Sequence, residues 1–290
     1  MIDKLEMFIA LAREAHFGRA AEAYGVTQPS LSSAIRALED QLGVQLVWRG
    51  SRYQGLTPEG QRVLEWARRI VGDARAMRDE MRAARYGVAG DLRLGVIPTA
   101  LTRAARLTGP YLARNPGMRI SISSCTSAEI REGIEALQLD AGITYLDTEP
   151  LGRVRQVPLW TERYRLLERG SDPTPIGWAE AATRPLCLLT PDMQNRRLVN
   201  AHLAEAGVAV TARVQSNSTI ALLAHVATGD WAAILAEALT EGFALPPGCV
   251  ARPLVAPEAC HRVGLIALER DPYTPSLLAL LEEARRVAEV

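Results

Sequence analysis

Lysine is almost missing from this chain: Lys4 stands alone against 32 arginines, a bias that reads as codon usage rather than chemistry. Net charge is also missing. The 33 basic and 33 acidic residues cancel, which argues against a protein that coats nucleic acid non-specifically. Cysteine is scarce. Cys125, Cys187, Cys249 and Cys260 form no CxxC pair and have no histidine at zinc spacing, so free buried thiols are expected and no metal site is. No apolar run approaches the length needed to span a bilayer, so no membrane partner is expected. The opening stretch MIDKLEMFIALAREA has no charged leader ahead of an apolar core, so no secretory signal is read and the expected compartment is the cytoplasm. Catalytic signatures are absent too: there is no GxSxG elbow, HExxH pair, Walker loop or GxGxxG turn. His16, His202, His225 and His261 have no motif partners. Neither an enzyme nor a cofactor is expected.

What the chain does have is 290 residues, 48% of them hydrophobic and 23% charged, enough for two globular domains. Residues 1–88 hold 13 of the basic and 11 of the acidic groups. That weak excess permits a local basic patch without requiring one.

The informative stretch is AAEAYGVTQPSLSSAIRALEDQL, Ala20 to Leu42. Gly25 can take the left-handed conformation that ends one helix, and Thr27 is a good N-cap for the next. Leu31, Ile35, Leu38 and Leu42 form one apolar stripe. The opposite face carries Gln28, Pro29, Ser32, Ser33 and Arg36, short or hydrogen-bonding groups suited to the DNA major groove. An ordinary amphipathic hairpin is the alternative. Next comes LVWRGSRYQGLTPEG, read as a short two-stranded wing whose Arg49 and Arg52 can reach phosphates or a minor groove.

Thr57 then caps, and Pro58 opens, a helix expected to run to about Tyr86. Val63, Ala67, Ile70, Ala74, Met77, Met81 and Ala84 alternate in steps of four and three, the spacing of a helix-pairing seam. Dimerisation is expected, with packing on the chain's own second domain as the alternative. Gly87 to Gly90 reads as a hinge. From Asp91 onward LRLGVIPTA, MRISISS and DAGITY read as strands separated by helices, implying a parallel sheet with right-handed crossovers. YRLLER, PLCLLT, VTARVQS, a stretch near WAAILA and RVGLIAL read as further strands. Chain crossings are expected near Trp160 to Glu162 and Cys260 to Val263.

The order of helix, helix-turn-helix, basic wing and long helix resembles the N-terminal domain of the LysR-type transcriptional regulators. FGRAAEAYGVTQPSLSSAIRALEDQLGVQLVWR and then LTPEG carry that resemblance over about the first 60 residues. GDLRLGVIPTA, LDAGITY, VQSNST and GDWAAI extend it more loosely to the rest. The resemblance implies an α/β chain with an all-α winged helix-turn-helix domain over 1–58 and a linker helix and hinge over 59–88. A two-lobed α/β effector domain similar to periplasmic solute-binding proteins would follow over 89–290. Lobe I would take about 91–161 and 263–290, and lobe II about 162–262. The family commonly has a basic residue where this chain has Ser33, so the phosphate contacts are expected to rest on Arg36, Arg49 and Arg52. Base readout is then expected from Gln28, Ser30 and Ser33, with Thr27 and Pro29 beside them. A redox-active cysteine pair occurs in one branch of the family.

The implied function is sequence-specific binding of double-stranded promoter or operator DNA, controlled by a small, anionic effector between the lobes. Helix starts at the carboxyl ends of parallel strands suit such a ligand. They place Thr99, Ala100, Thr126, Ser127, Tyr145, Gln194, Asn195, Ser216 and Asn217 at the effector site, and family members hold inducers at the positions of Thr99 and Ser127. A homodimer through the linker helix, assembling into a tetramer, is the expected partner state. The rival reading is a solute-binding or enzymatic α/β protein whose N-terminal helices serve only to dimerise.

Overall fold

The computed structural model describes residues 1–48, 53–242 and 244–288. It divides into two compact units: residues 1–88 with 135–138 and 270–276, and the remainder.

In the first unit, α1 (Ile2–Glu14), α2 (Phe17–Tyr24) and α3 (Gln28–Leu42) precede the long α4 (Pro58–Tyr86). His16 caps α2, its Nδ1 accepting from the Gly18 and Arg19 amides at 3.0 and 3.3 Å. Gly25 ends α2 at φ 78°, where a side chain would be strained. Thr27 caps α3 and Thr57 caps α4 with Pro58 following, as the sequence leads one to expect. Phe8, Leu11, Ala20, Leu31, Ile35 and Leu38 are buried together, so the stripe read on α3 faces inward except at its last residue. Leu42 is exposed because it sits on the final turn, past the packing of α1 and α2.

Beyond α3 a buried carboxylate organises the chain. Glu39 Oε1 accepts from the amides of Leu46 and Val47 at 2.8 and 3.3 Å, supplying backbone donors that would otherwise lack partners. Of the expected wing, an antiparallel bridge between Val47 and Leu56 is present, while Arg49 and Arg52 lie outside the described residues. Gly60 is the tight spot. A Cβ there would fall 2.0 Å from the Leu46 carbonyl oxygen, and backbone cannot move aside as a side-chain tip can. Gly60→Val is expected to cost about 3 kcal/mol or more, the upper range of core overpacking. Denaturant unfolding of the full chain measures it, and an unchanged midpoint would refute the close approach.

The second unit begins with β1 (Ala89–Val96), a 3-10 turn over Pro98–Ala100, α5 (Leu101–Arg114), β2 (Gly117–Ser124), α6 (Ser127–Glu135) and β3 (Ala141–Tyr145). Then come β4 (Val154–Arg169), β5 (Ile176–Gly177), α7 (Trp178–Ala181), β6 (Leu186–Leu189), α8 (Gln194–Glu205), β7 (Val214–Ser216) and α9 (Thr219–Ala227). It closes with β8 (Ala232–Ala236), α10 (Glu237–Gly242), β9 (Cys249–Val255), β10 (Cys260–Leu268) and α11 (Pro275–Val287). The strand order is β2-β1-β3-β10-β4-β8-β6-β7, with β9 beside β4. Parallel pairs β1–β2, β1–β3, β6–β7 and β6–β8 form two wound halves. Antiparallel β10 and β4 join them.

Several elements differ from the sequence reading. The YRLLER strand is longer than read: it begins at Val154 and runs through VRQVPLWTER as the single 16-residue β4. Pro158, which has no N–H, hides the continuity, and the register shifts beside it between Val263 and Gly264, a bulge that lets the strand pass. The VTARVQS strand is only Val214–Ser216, and β9 went unread.

Strand β4 serves both halves. Its residues up to Arg163 pair with β10, and Tyr164 onward pair with β8. On the β1–β3 side, Gly95 and Gly142 are register partners. A Cβ on Gly142 would meet Ile130 of α6 at 2.2 Å, so α6 lies directly on bare backbone. That seating fixes where the N-terminus of α6 points.

Candidate effector cleft and DNA-facing helix

In the second unit, one cleft collects residues from both halves. Ile97, Pro98, Thr99, Thr126, Ser127 and Tyr145 line one side, and Leu189, Met193, Gln194 and Asn195 the other. Its empty volume, counting the open mouth, is about 200 Å³, so the cleft is narrow. Two helix N-termini, those of α6 and α8, begin at its walls, bringing backbone N–H groups and the positive ends of helix dipoles.

Tyr145 is the centre of the polar network. It is fully buried, and its hydroxyl donates to Glu162 Oε1 in a short hydrogen bond. Asn195 Nδ2 donates to the Tyr145 oxygen at 3.0 Å, and Thr99 Oγ1 lies 3.4 Å away. Thr144 Oγ1 donates to Ser127 Oγ at 2.9 Å, which leaves the Ser127 hydroxyl hydrogen free to turn to a ligand. Gln194 Nε2 donates to Thr148 Oγ1, and Arg197 pairs with Glu149 at 2.5 Å. These contacts tie the start of α8 to the loop after β3.

Of the nine effector residues named from sequence, the structure brings Thr99, Thr126, Ser127, Tyr145, Gln194 and Asn195 to the cleft. The other three stand apart. Ala100 is wholly buried in the turn, packed behind the lining rather than facing it. Ser216 ends β7, its Oγ accepting from the Ser218 amide at 3.1 Å. Asn217 is exposed. Both belong to the turn that caps α9, not to the cleft wall. Among the described residues no arginine or lysine lines the cleft, so any negative charge on a ligand would meet N–H groups, hydroxyls and amides.

Sequence reading missed Glu162. It is buried on β4, and its Oε2 has no hydrogen-bond partner among the described residues. Its carboxyl is pushed up to about 7 by burial, opposed by the Tyr145 hydrogen bond, by Arg103 and by Thr99. The Tyr145 hydroxyl is pushed well above its ordinary value by burial and by the Glu162 charge. A signal was available: Glu162 falls at a period-two position among inward-facing Trp160, Tyr164 and Leu166, where an acid is out of place. Also missed was a histidine pair, His202 Nε2 to His261 Nε2 at 2.9 Å. His261 is the register partner of Glu162, and burial lowers its pKa.

In the first unit, Thr27, Gln28, Pro29, Ser30, Ser33 and Arg36 are all exposed on the start and outer face of α3. Thr27 Oγ1 is engaged at the cap, 2.9 Å from Ser30 Oγ and 3.4 Å from its amide. Arg36 has no ion-pair partner among the described residues. A face of this kind, presented by the second helix of a tight turn, is what groove entry needs.

Two family models match the chain: the bacterial regulatory helix-turn-helix protein, lysR family, over residues 2–61, and the LysR substrate binding domain over residues 85–289. The chain belongs to the LysR family. LysR proteins are transcriptional regulators, which removes the enzymatic rival. The SDS degradation transcriptional activation protein of Pseudomonas sp. (strain ATCC 19151) is 37% identical over 161 residues. That match takes 54% of this chain and 53% of the relative, so it spans about half the relative's length. A full-length OxyR variant from Pseudomonas aeruginosa, with one cysteine replaced by aspartate, superposes with a TM-score of 0.75 at 28% identity, covering 99% of this chain and 96% of that one. Full-length CbnR complexed with its target DNA gives 0.62 at 25% identity over 99% and 100%.

Of the four thiols expected to be buried, only Cys187 is; Cys125 and Cys249 are half-buried and Cys260 is exposed. Burial pushes Cys187 up to about 11 and also raises Cys125, with Glu129 adding to it, the opposite of what a reactive thiolate needs. Among the described residues no three His, Cys, Asp or Glu side chains are placed to hold a metal. No helix there is long and apolar enough to cross a membrane.

Proposed function

We propose that this LysR-type regulator binds operator DNA sequence-specifically through α3 and responds to a small anionic effector held in the cleft of its second unit. The observation that carries this is the convergence of Thr99, Ser127, Tyr145, Gln194 and Asn195 from two lobes onto one cavity, in a chain whose other unit presents a polar α3. Gln28, Ser30 and Ser33 read base edges, Arg36 reaches phosphate, and Pro29 packs on a methyl or sugar. Arg49 and Arg52 are assigned the flanking contacts.

Two copies pair along α4, where Ile70, Met77 and Met81 of the expected seam are exposed together with Trp66, while Val63 and Ala67 pack within the first unit. Such an apolar seam suits a second helix, and a tetramer follows if two such dimers meet. The compartment that fits is the cytoplasm. Effector binding favours one arrangement of the lobes, with a coupling of about 1–3 kcal/mol to the DNA-binding state.

A mobility shift on DNA upstream of the protein's own gene, run at two salt concentrations, tests the first half. A specific complex with a steep salt dependence is expected, and its absence at low salt would refute it. For the second half, Thr99→Val is expected to keep the DNA complex and lose the effector response. A retained response would remove Thr99 from the site.

A further inference from the structure

Glu162 lies one hydrogen bond behind the cleft, joined to it by Tyr145, one of the lining residues. With Glu162 ionised, the Tyr145 hydrogen is committed to the carboxylate, while Asn195 and Thr99 approach the phenolic oxygen. The cleft then faces a tyrosine with no proton to offer and a buried negative charge behind it. With Glu162 protonated, the carboxylic acid can donate to the Tyr145 oxygen. The tyrosine hydrogen is released to point at a ligand, and the like charge is gone.

We propose that the cleft binds a small carboxylate together with one proton, taken from solvent onto Glu162, and that this proton reverses the Glu162–Tyr145 hydrogen bond so that Tyr145 becomes a donor to the ligand. The proposal rests on the cleft being the effector site. It names the ligand class and makes Glu162 its positioning residue.

The surroundings supply the electrostatics. Around Glu162 stand Tyr145 at the end of β3, Arg103 from α5, Tyr164 on its own strand, and His261 from β10 with His202 of α8 behind it, while Asp147, after β3, acts on Tyr164 and His261. Arg103 is the cation that acts on Glu162, and it is drawn away by Glu241 at 2.8 Å. Asp147 adds negative charge and lies 3.8 Å from His261. Burial leaves Glu162 titrating near neutrality, at about 7. An anion arriving beside it raises that value further, because two like charges in a low-dielectric site cannot both persist.

The test is calorimetry of formate, acetate and propionate on the full-length protein across pH, in buffers of different ionisation enthalpy, with acetamide as the uncharged control. Affinity for the carboxylates is expected to fall about tenfold per pH unit above neutrality. Uptake should approach one proton per site on the alkaline side and vanish on the acid side. Acetamide should bind without proton uptake. Glu162→Gln, whose amide can donate to Tyr145 permanently, should bind carboxylate with no pH dependence and no uptake. Tyr145→Phe should bind weakly at every pH.

Wild-type binding without proton uptake overturns the proposal. So does uptake that persists in Glu162→Gln, which would assign the proton to the His202–His261 pair. Ser127→Val and Asn195→Leu separate the two levels. If they abolish a pH-independent binding, the cleft is the site and only the proton coupling fails. If they leave binding untouched, or no carboxylate binds at all, the reading of the cleft as a site for a small anion fails with it.

Discussion

The Arg36→Ala variant is expected to bind operator DNA about 100-fold more weakly than wild type, with its oligomeric state unchanged. Arg36 is exposed on the outer face of α3, one position on from Ile35, which is buried in the core. The substitution therefore removes a surface charge and leaves the packing that holds α3 in place. One groove or phosphate contact by arginine is worth about 1–3 kcal/mol, and a dimer loses two of them. The salt dependence should also flatten, because fewer counterions are released when a phosphate contact is lost. Titrated gel shifts at several salt concentrations give both quantities. Sedimentation of the free variant checks that assembly survives. Wild-type affinity would show that α3 does not face the duplex in the proposed way.

The second large effect concerns stability against pH. The Glu162 carboxyl is raised by burial from 4.5 to about 7, so the folded chain holds this proton more tightly than the unfolded one. The contribution is present in full below the unfolded value and is lost as pH rises through the folded value. From about pH 5 to pH 8 the wild-type protein should lose about 3 kcal/mol of stability through this group. Glu162→Gln cannot lose a proton there. Its stability relative to wild type should therefore improve by a similar amount over the same window, whatever its offset at acid pH. Urea unfolding of both proteins at a series of pH values measures the difference. Parallel curves would mean that Glu162 is not held in a raised state. His261, lowered by burial, contributes with the opposite sign below its unfolded value of 6.5, so it opposes the Glu162 change over the acid part of this window, and the difference between wild type and Glu162→Gln isolates the carboxyl.

Much of this molecule was legible in its sequence, for identifiable reasons. Gly25, Thr27, Thr57 and Pro58 act within a turn of themselves, through left-handed backbone or a cap, so local residue type predicts their role. The apolar stripe from Leu31 to Leu38 is equally local, and so is the alternation of strand and helix from β1 to β3. Six of the cleft-lining residues could be named because each lies where a helix starts or a strand ends, and a parallel sheet gathers those ends on one side.

What escaped was non-local. The first part of strand β4 was hidden because Pro158 interrupts its pattern, and only the bulge against β10 accommodates it. Tyr145 ends β3 and Glu162 lies on β4, with β10 between the two strands, a juxtaposition that no spacing along the chain encodes. Ser216 and Asn217 were drawn to the cleft by residue type alone, yet the same residue types cap helices everywhere. Glu39 was assigned no role, although it ties the end of α3 to the chain that follows. Sequence pattern gave no hint that its carboxylate turns back toward Leu46.

The two walls of the cleft differ in how they could be altered. Helix α6 rests on glycine backbone at Gly95 and Gly142, with Ile130 filling the space where a Cβ would stand, so it has no slack to give. Helix α8 is fastened at its start by exchangeable polar ties, Gln194 to Thr148 and Arg197 to Glu149. A biosensor built on this scaffold for bulkier analytes should gain its room by trimming the α8 side, because retreat of α6 would have to dislodge the sheet beneath it.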